Sequence, residues 1–299
     1  FDTLGQGKVV GGTSWMWSSD DAEGILDYLF VDEAGQMSLS NVIACSRATS
    51  NIVLLGDPQQ LEQPKKGAHP EGADVSALDH ILDGEKTMPI DKGLFLDTTW
   101  RLPRAISEFT SEQYYEGRLK SKAELEKQEI LGKGPFVGSG LFYVPVDHQG
   151  NQNKSMEEVD TIEQLTKELL GAGLRWRDRE GKVEPITDQS ILIVAPYNAQ
   201  VNALTERLKG MRIGTVDKFQ GQEAPIVIYS MTSSSPEEAP RGMSFLYNPN
   251  RLNVATSRAQ CICILVGSPS LFEPECHSVD QMKWANGLCR YGESSIEVN

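Results

Sequence analysis

The chain has 299 residues, 39% hydrophobic and 23% charged, which is enough apolar material for one large or two medium globular cores. No apolar run approaches the ~18 residues of a membrane-spanning helix, so none is expected. A net charge of -14 argues against a large exposed nucleic-acid platform, although a narrow basic groove can coexist with an acidic exterior.

The sequence starts at Phe1 with neither an initiator Met nor a signal-peptide pattern, so this start is expected to be a boundary inside a longer protein. Apolar runs of strand length follow at residues 28–31, 51–55, 190–195, 226–231 and 261–266. Each is nearly continuous in Ile, Val and Leu, as parallel strands covered on both faces are. Between them, Val159, Ile162, Leu165 and Leu169 recur at helical spacing, and so do Val201, Leu204 and Leu208. The alternation predicts an α/β fold of two doubly wound parallel sheets. The first sheet, in residues 1–92, shows about three strands where such a sheet usually has five or more, so it reads as truncated. The second occupies residues 93–299. Residues 121–140 read as a polar surface excursion, and residues 233–242, rich in Pro and Glu, as a mobile loop. The five cysteines, Cys45, Cys261, Cys263, Cys276 and Cys289, match no zinc spacing. Buried reduced thiols, and with them a cytoplasmic location, are expected.

Five segments carry candidate chemistry. In Leu29-Phe30-Val31-Asp32-Glu33-Ala34-Gly35-Gln36 an apolar strand ends in two acids. Ligands of doubly wound sheets bind at such strand ends, and paired carboxylates suit a metal-nucleotide site. By themselves the two acids read more readily as an acidic loop after a strand; the flanking Ala-Gly-Gln and the segments below favour the site. A second strand ends in Leu55-Gly56-Asp57-Pro58-Gln59-Gln60-Leu61, where Gly-Asp-Pro alone is a common turn. Asp97-Thr98-Thr99-Trp100-Arg101-Leu102-Pro103 sets a Trp beside an Arg, a pairing that could also be a packed aromatic and a surface cation. Gly214-Thr215-Val216-Asp217-Lys218-Phe219-Gln220-Gly221-Gln222-Glu223 and Asn250-Arg251-Leu252-Asn253-Val254-Ala255-Thr256-Ser257-Arg258-Ala259 each precede a strand.

In order and spacing these segments resemble motifs II to VI of superfamily 1 helicases, nearest to the branch of the RNA-surveillance helicases and the Dna2-type nuclease-helicases. The resemblance covers most of the chain and implies two RecA-like sheets, with ATP and Mg²⁺ as cofactors. It would make Asp32 the Mg²⁺ ligand, Glu33 the catalytic base and Gln60 a γ-phosphate contact. Trp100 falls where the family usually has an adenine-stacking Tyr, and offers a larger face. Arg101 and Arg258 would reach the γ-phosphate from the second sheet. Gly221 and Glu223 would lie at the nucleotide, Glu223 against its ribose or phosphates. Thr13, Ser14, Tyr197, Thr215 and Ser230 are the candidate contacts to a single strand, DNA before RNA. Hydroxyls at strand ends suit backbone contacts without base readout.

The family's phosphate-binding loop is missing from the sequence. Gly5-Gln6-Gly7-Lys8 imitates its end, but Val9 stands where a hydroxyl is needed and a strand is expected where a helix should begin. The chain by itself is therefore expected to lack ATPase activity. A nuclease domain in the same parent chain is a further expectation from the resemblance. Two other readings share the motifs: an ATPase that remodels protein–nucleic-acid complexes without unwinding, and a non-catalytic nucleic-acid-binding module.

Overall fold

A computed structural model describes residues 9–61, 75–219 and 221–298. The chain divides into two compact units, Phe1–Phe95 and Leu96–Asn299, and each is described by itself.

In the first unit, α1 (Ser14–Trp17) is followed by β1 (Leu29–Val31), α2 (Leu39–Ser46), β2 (Ile52–Leu54) and α3 (Ala77–Leu82). The two strands are parallel, with Leu29 opposite Ile52 and Val31 opposite Leu54. Ser38 opens α2 and Ser76 opens α3, each hydroxyl accepting a backbone N–H three residues on. Trp17, Leu29, Val31, Val42, Cys45 and Leu78 form a core on one face of the strands. The sequence predicts cover on both faces of β1, but its side chains alternate, and Phe30 remains 63% exposed. Tyr28 lies beside it with ring centroids 6.4 Å apart. Among the described residues, nothing covers that face. Val9 and Val10, expected as a strand, are unpaired coil here.

The second unit begins with β3 (Thr98–Thr99), α4 (Arg104–Tyr114), β4 (Lys120–Ser121), β5 (Glu129–Leu131), β6 (Gly140–Pro145), α5 (Met156–Gly171), β7 (Arg175–Arg177) and β8 (Val183–Pro185). It continues with β9 (Ile191–Val194), α6 (Asn198–Arg207), β10 (Arg212–Gly214), β11 (Ala224–Ser230), α7 (Met243–Leu246), α8 (Pro249–Ser257), β12 (Ala259–Gly267), α9 (Val279–Ser294) and β13 (Ile296–Glu297). Six strands form one sheet in the order β10-β9-β11-β12-β6-β13, and every neighbouring pair is parallel.

Successive side chains of a strand point to opposite faces, and here both sets are buried. Ile191, Ile193, Ile226, Ile228, Ile262 and Ile264 pack on Val159, Ile162 and Leu165 of α5 and Leu204 of α6. On the other face, Tyr291 of α9 donates to the Cys263 carbonyl at 2.9 Å and meets Phe109 of α4 edge-on. This is the doubly wound arrangement that the continuous apolar runs predict. Each fully buried Ile or Leu is worth about 1.5–3 kcal/mol, so the paired faces supply the main stabilisation.

Two expected loops are more ordered than their composition suggests. Within residues 121–140, β5 pairs with β7 and β7 with β8 in a small antiparallel sheet. Ile130 and Phe136 from this segment join the main core. The segment 233–242 is pinned at its root: Ser234 donates its backbone N–H to the Asn151 carbonyl, and the Ser233 hydroxyl donates to the Gln152 carbonyl.

Candidate functional site

In the first unit, the acid pair Asp32 and Glu33 sits on the carboxyl end of β1, and both residues are exposed. The parallel neighbour fixes their position. Leu55 N–H donates to the Val31 carbonyl, and Ala34 N–H donates back to the Leu55 carbonyl at 2.8 Å. The acidic turn thus lies directly on the Gly56-Asp57 turn. A Cβ on Gly35 would stand 2.8 Å from the Asp57 carbonyl oxygen, and one on Gly56 would stand 2.8 Å from the Ala34 nitrogen, so both positions require glycine. Glu33 has φ +53, a left-handed conformation that costs a non-glycine residue of order 1 kcal/mol and recurs at functional turns. Its N–H donates to Asp32 Oδ1 at 3.0 Å. Gln60 donates its side-chain amide to Asp57 Oδ2 at 3.0 Å, while Asp57 Oδ1 takes the Gln59 N–H. Asp57 therefore orients Gln60, a role that the Gly-Asp-Pro string alone does not reveal.

Among the described residues there is no cluster of three or more potential metal ligands. Asp32 is a single exposed carboxylate, and this fits Mg²⁺, which is commonly held by one or two carboxylates plus phosphate oxygens and water. Thr13 is the N-cap of α1; its hydroxyl makes no capping bond and the residue is exposed. Ser14 is half-buried beneath Cys45, whose thiol donates to the Ser14 carbonyl.

In the second unit, Arg101, Glu223 and Arg258 converge at the amino ends of β11 and β12. Arg101 Nε donates to Glu223 Oε2 at 2.5 Å, and its NH1 donates to the Ser257 carbonyl at 3.2 Å. The second Glu223 oxygen takes the Gln260 amide at 2.8 Å. Gln128 donates to both the Arg101 and Gln260 carbonyls, at 2.7 and 2.8 Å, and so ties the backbone of one to the other. Arg258 closes α8 and is 4% exposed. Its NH1 reaches the Gln222 carbonyl at 3.5 Å, and its own carbonyl accepts the Ala224 N–H. Gly221 precedes this cluster at φ +75, a turn suited to glycine. As placed, Glu223 spends both oxygens on Arg101 and Gln260, so it orients an arginine; the ribose or phosphate contact expected of it would require those bonds to open. Trp100 is 62% exposed, with the Lys122 ammonium over its ring. Gln128, Gln260 and Lys122 carry no local sequence signal, because their partners lie far away along the chain.

The expected strand contacts lie toward the carboxyl ends of the same sheet. Thr215 is half-buried just after β10. Tyr197, at the start of α6, is 7% exposed, and burial pushes its phenol up. Ser230 is fully buried and donates to Glu158 Oε2 at 2.5 Å. That hydroxyl is committed to an internal network and does not face a phosphate. Glu158 also accepts two bonds from the Thr232 N–H and one from His148 Nε2. Ser234 bonds to the other ring nitrogen of His148, and Gln200 donates to Ser230.

The family model described as an AAA domain (AAA_12) matches residues 74–270, more than half of the chain. The chain belongs to this family. The AAA domain of this protein is similar to the "Putative helicase mov-10-B.1" of Danio rerio, 28% identical over 291 residues, covering 84% of this chain and 28% of that one. It is also similar to the "Regulator of nonsense transcripts 1 homolog" of Arabidopsis thaliana, 27% identical, with 90% and 21% covered. A third relative is the "DNA polymerase alpha-associated DNA helicase A" of Schizosaccharomyces pombe, 25% identical, with 91% and 40% covered. The chain thus spans about a fifth to two fifths of these relatives' length. Among solved structures, "Complex structure of Arterivirus nonstructural protein 10 (helicase) with DNA" aligns at a TM-score of 0.40 and 14% identity, covering 82% of this chain and 40% of that one. With these relatives and its five motif strings, this AAA domain stands among the superfamily 1 helicases of the RNA-surveillance and Dna2-type branch.

Proposed function

We propose that this chain carries most of the catalytic machinery of an ATP-driven motor that moves 5′ to 3′ along a single nucleic-acid strand and unwinds it. The observation that carries this reading is the meeting of Arg101, Glu223 and Arg258 in the second unit, where an acid aims one guanidinium and a helix end fixes the other. Phosphoryl transfer spreads negative charge over the γ-oxygens, and planar guanidinium groups match that charge; such an arginine is worth about 10³–10⁵ in rate. Asp32 would hold Mg²⁺, which neutralises charge on the phosphate oxygens when bound. Glu33 takes the proton of the attacking water, and Gln60, aimed by Asp57, positions that water. Trp100 offers an exposed face to the base.

The DNA preference drawn from the resemblance finds no support in the relatives, which include the "Probable RNA helicase armi" of Drosophila melanogaster beside the DNA helicase A of Schizosaccharomyces pombe. The reading therefore covers a single strand of either sugar. The five free cysteines support a reducing, cytoplasmic setting. Without a phosphate-binding loop, the 299-residue chain alone is expected to hydrolyse ATP negligibly. The test is strand displacement on tailed DNA and RNA duplexes by a form of the protein that carries such a loop. Unwinding from a 5′ tail that stops in Glu33→Gln supports the reading. ATP turnover without any displacement would leave a remodelling ATPase, and robust Glu33-dependent hydrolysis by residues 1–299 alone would overturn the expected inactivity.

A further inference from the structure

At the carboxyl edge of the second sheet, Arg251 of the fifth motif segment is joined by Arg241, a cation that lies outside all five segments. The Arg241 guanidinium lies 3.8 Å from the Phe245 ring centroid, and the Arg251 guanidinium lies 4.4 Å from the same centroid. Phe245 packs in turn on Tyr197 at the start of α6, centroids 5.4 Å apart. Arg251 is partly neutralised by Asp217, 3.3 Å away in the turn that follows Thr215. Arg241 is exposed and forms no ion pair with a described carboxylate, although Glu237 and Glu238 lie in its own loop.

What sets Arg241 apart is its seat: it lies on a ring that a second arginine also touches, and that second arginine already has its carboxylate in Asp217. Stacking on an aromatic ring holds a guanidinium flat and leaves its N–H edge available for a planar or tetrahedral anion. Two guanidinium groups on one ring repel each other, and an anion between them relieves the repulsion. Arg241 stands directly before Gly242, the N-cap of α7, whose N–H donates to the Ala239 carbonyl, so the cation sits in a turn that leads into a packed helix.

We propose that Arg241, with Arg251 beside it, binds the backbone phosphate of a single nucleic-acid strand laid over the carboxyl ends of β9, β10 and β11. This rests on the strand binding proposed above and names a contact outside the five motifs. Thr215 lies after β10 on the same edge, so a backbone running from Thr215 to Arg241 stays on one side of the sheet. Contacts of this kind carry affinity and leave sequence unread.

The test is fluorescence anisotropy of labelled oligo-dT and oligo-U on the 299-residue chain across a salt series. Arg241→Ala is expected to weaken binding of either strand about fivefold near ~0.1 M salt and to lower the salt slope by about 0.7–0.9. Arg241→Lys keeps the charge and should keep the slope. Lys209→Ala, beyond the far end of α6, should change neither. Unchanged binding in Arg241→Ala, or a loss in Arg241→Lys as large as in Arg241→Ala, overturns the contact while leaving the motor reading intact. Absence of wild-type binding to both strands overturns strand binding itself and the contact with it. Tripolyphosphate displacing the label as well as an unlabelled strand does, at equal phosphate, would assign the site to free phosphate and also overturn it.

Discussion

Arg101 and Glu223, 122 positions apart in sequence, meet at 2.5 Å, and the free oxygen of that carboxylate is taken by Gln260. At one-third to one-half exposure, such a pair adds at most about 1 kcal/mol to stability. Its effect is on direction: it decides where the guanidinium points. In a form that contains the phosphate-binding loop, Arg258→Ala should lower nucleic-acid-stimulated kcat by about 10³ or more. Glu223→Gln should cost less, about tenfold, because the Ser257 carbonyl still holds Arg101. Steady-state ATPase rates with circular dichroism as the folding control check both, and a Glu223→Gln loss as deep as that of Arg258→Ala would show that Glu223 does more than aim.

Gly35→Ala should unfold or loosen the first unit selectively. The new methyl would press on the Asp57 backbone oxygen at 2.8 Å, and neither turn can retreat without breaking the Ala34–Leu55 bond. A loss of about 1–3 kcal/mol is expected, typical of forced overpacking. Limited proteolysis should then cut within residues 9–61 while the second unit resists, and a variant as resistant as the wild type would contradict the close approach.

Two buried thiols on β12, Cys261 and Cys263, are pushed from 9.0 up to about 12 by desolvation. A raised value in the folded state means that the folded chain keeps protons that the unfolded chain has lost. Stability from this source is complete below about 9 and drains away as pH climbs toward about 12. Urea midpoints should fall over that range, and Cys261→Ala/Cys263→Ala should flatten the fall. In native protein at pH 8, a thiol reagent should reach the half-buried Cys276 and Cys289 and spare these two.

Glu158→Gln should destabilise the second unit by about 2 kcal/mol or more, since a buried acceptor of four hydrogen bonds is exchanged for an amide that places a donor against donors. Thr232, held at φ +73 by that carboxylate, should be the first residue to lose amide-exchange protection. Equal protection of Thr232 in the variant and the wild type would mean that the turn is held by other contacts.

The sequence shows more of the candidate acids than of their surroundings. Asp32, Glu33 and the long apolar strands are legible because strand ends and continuous Ile and Val runs are local patterns. Ser230 is legible only as a residue at a strand end; the direction of its hydroxyl depends on Glu158, 72 positions away. Residues 233–242 look mobile from their Pro and Glu content, yet Asn151 and Gln152 hold their root. Residues 121–140 look like an excursion because β5 finds its partner only at Arg175–Arg177. Phe30 misleads in the opposite sense: its apolar character promises a covered face that the described residues do not supply.

The helix α8 has nine residues, about 13 Å at 1.5 Å of rise each, and leads from the Asp217 turn to the start of β12. Arg251 rides on its first turn and Arg258 ends it, so one short rod reaches from the Phe245 ring to the paired-arginine end. Leu252 and Val254 to Thr256 are buried along its length, leaving little slack for bending in between. The two tips therefore share one stiff segment: about two and a half turns of packed helix stand between the Phe245 edge of the sheet and its paired-arginine edge, with the core as their common backing.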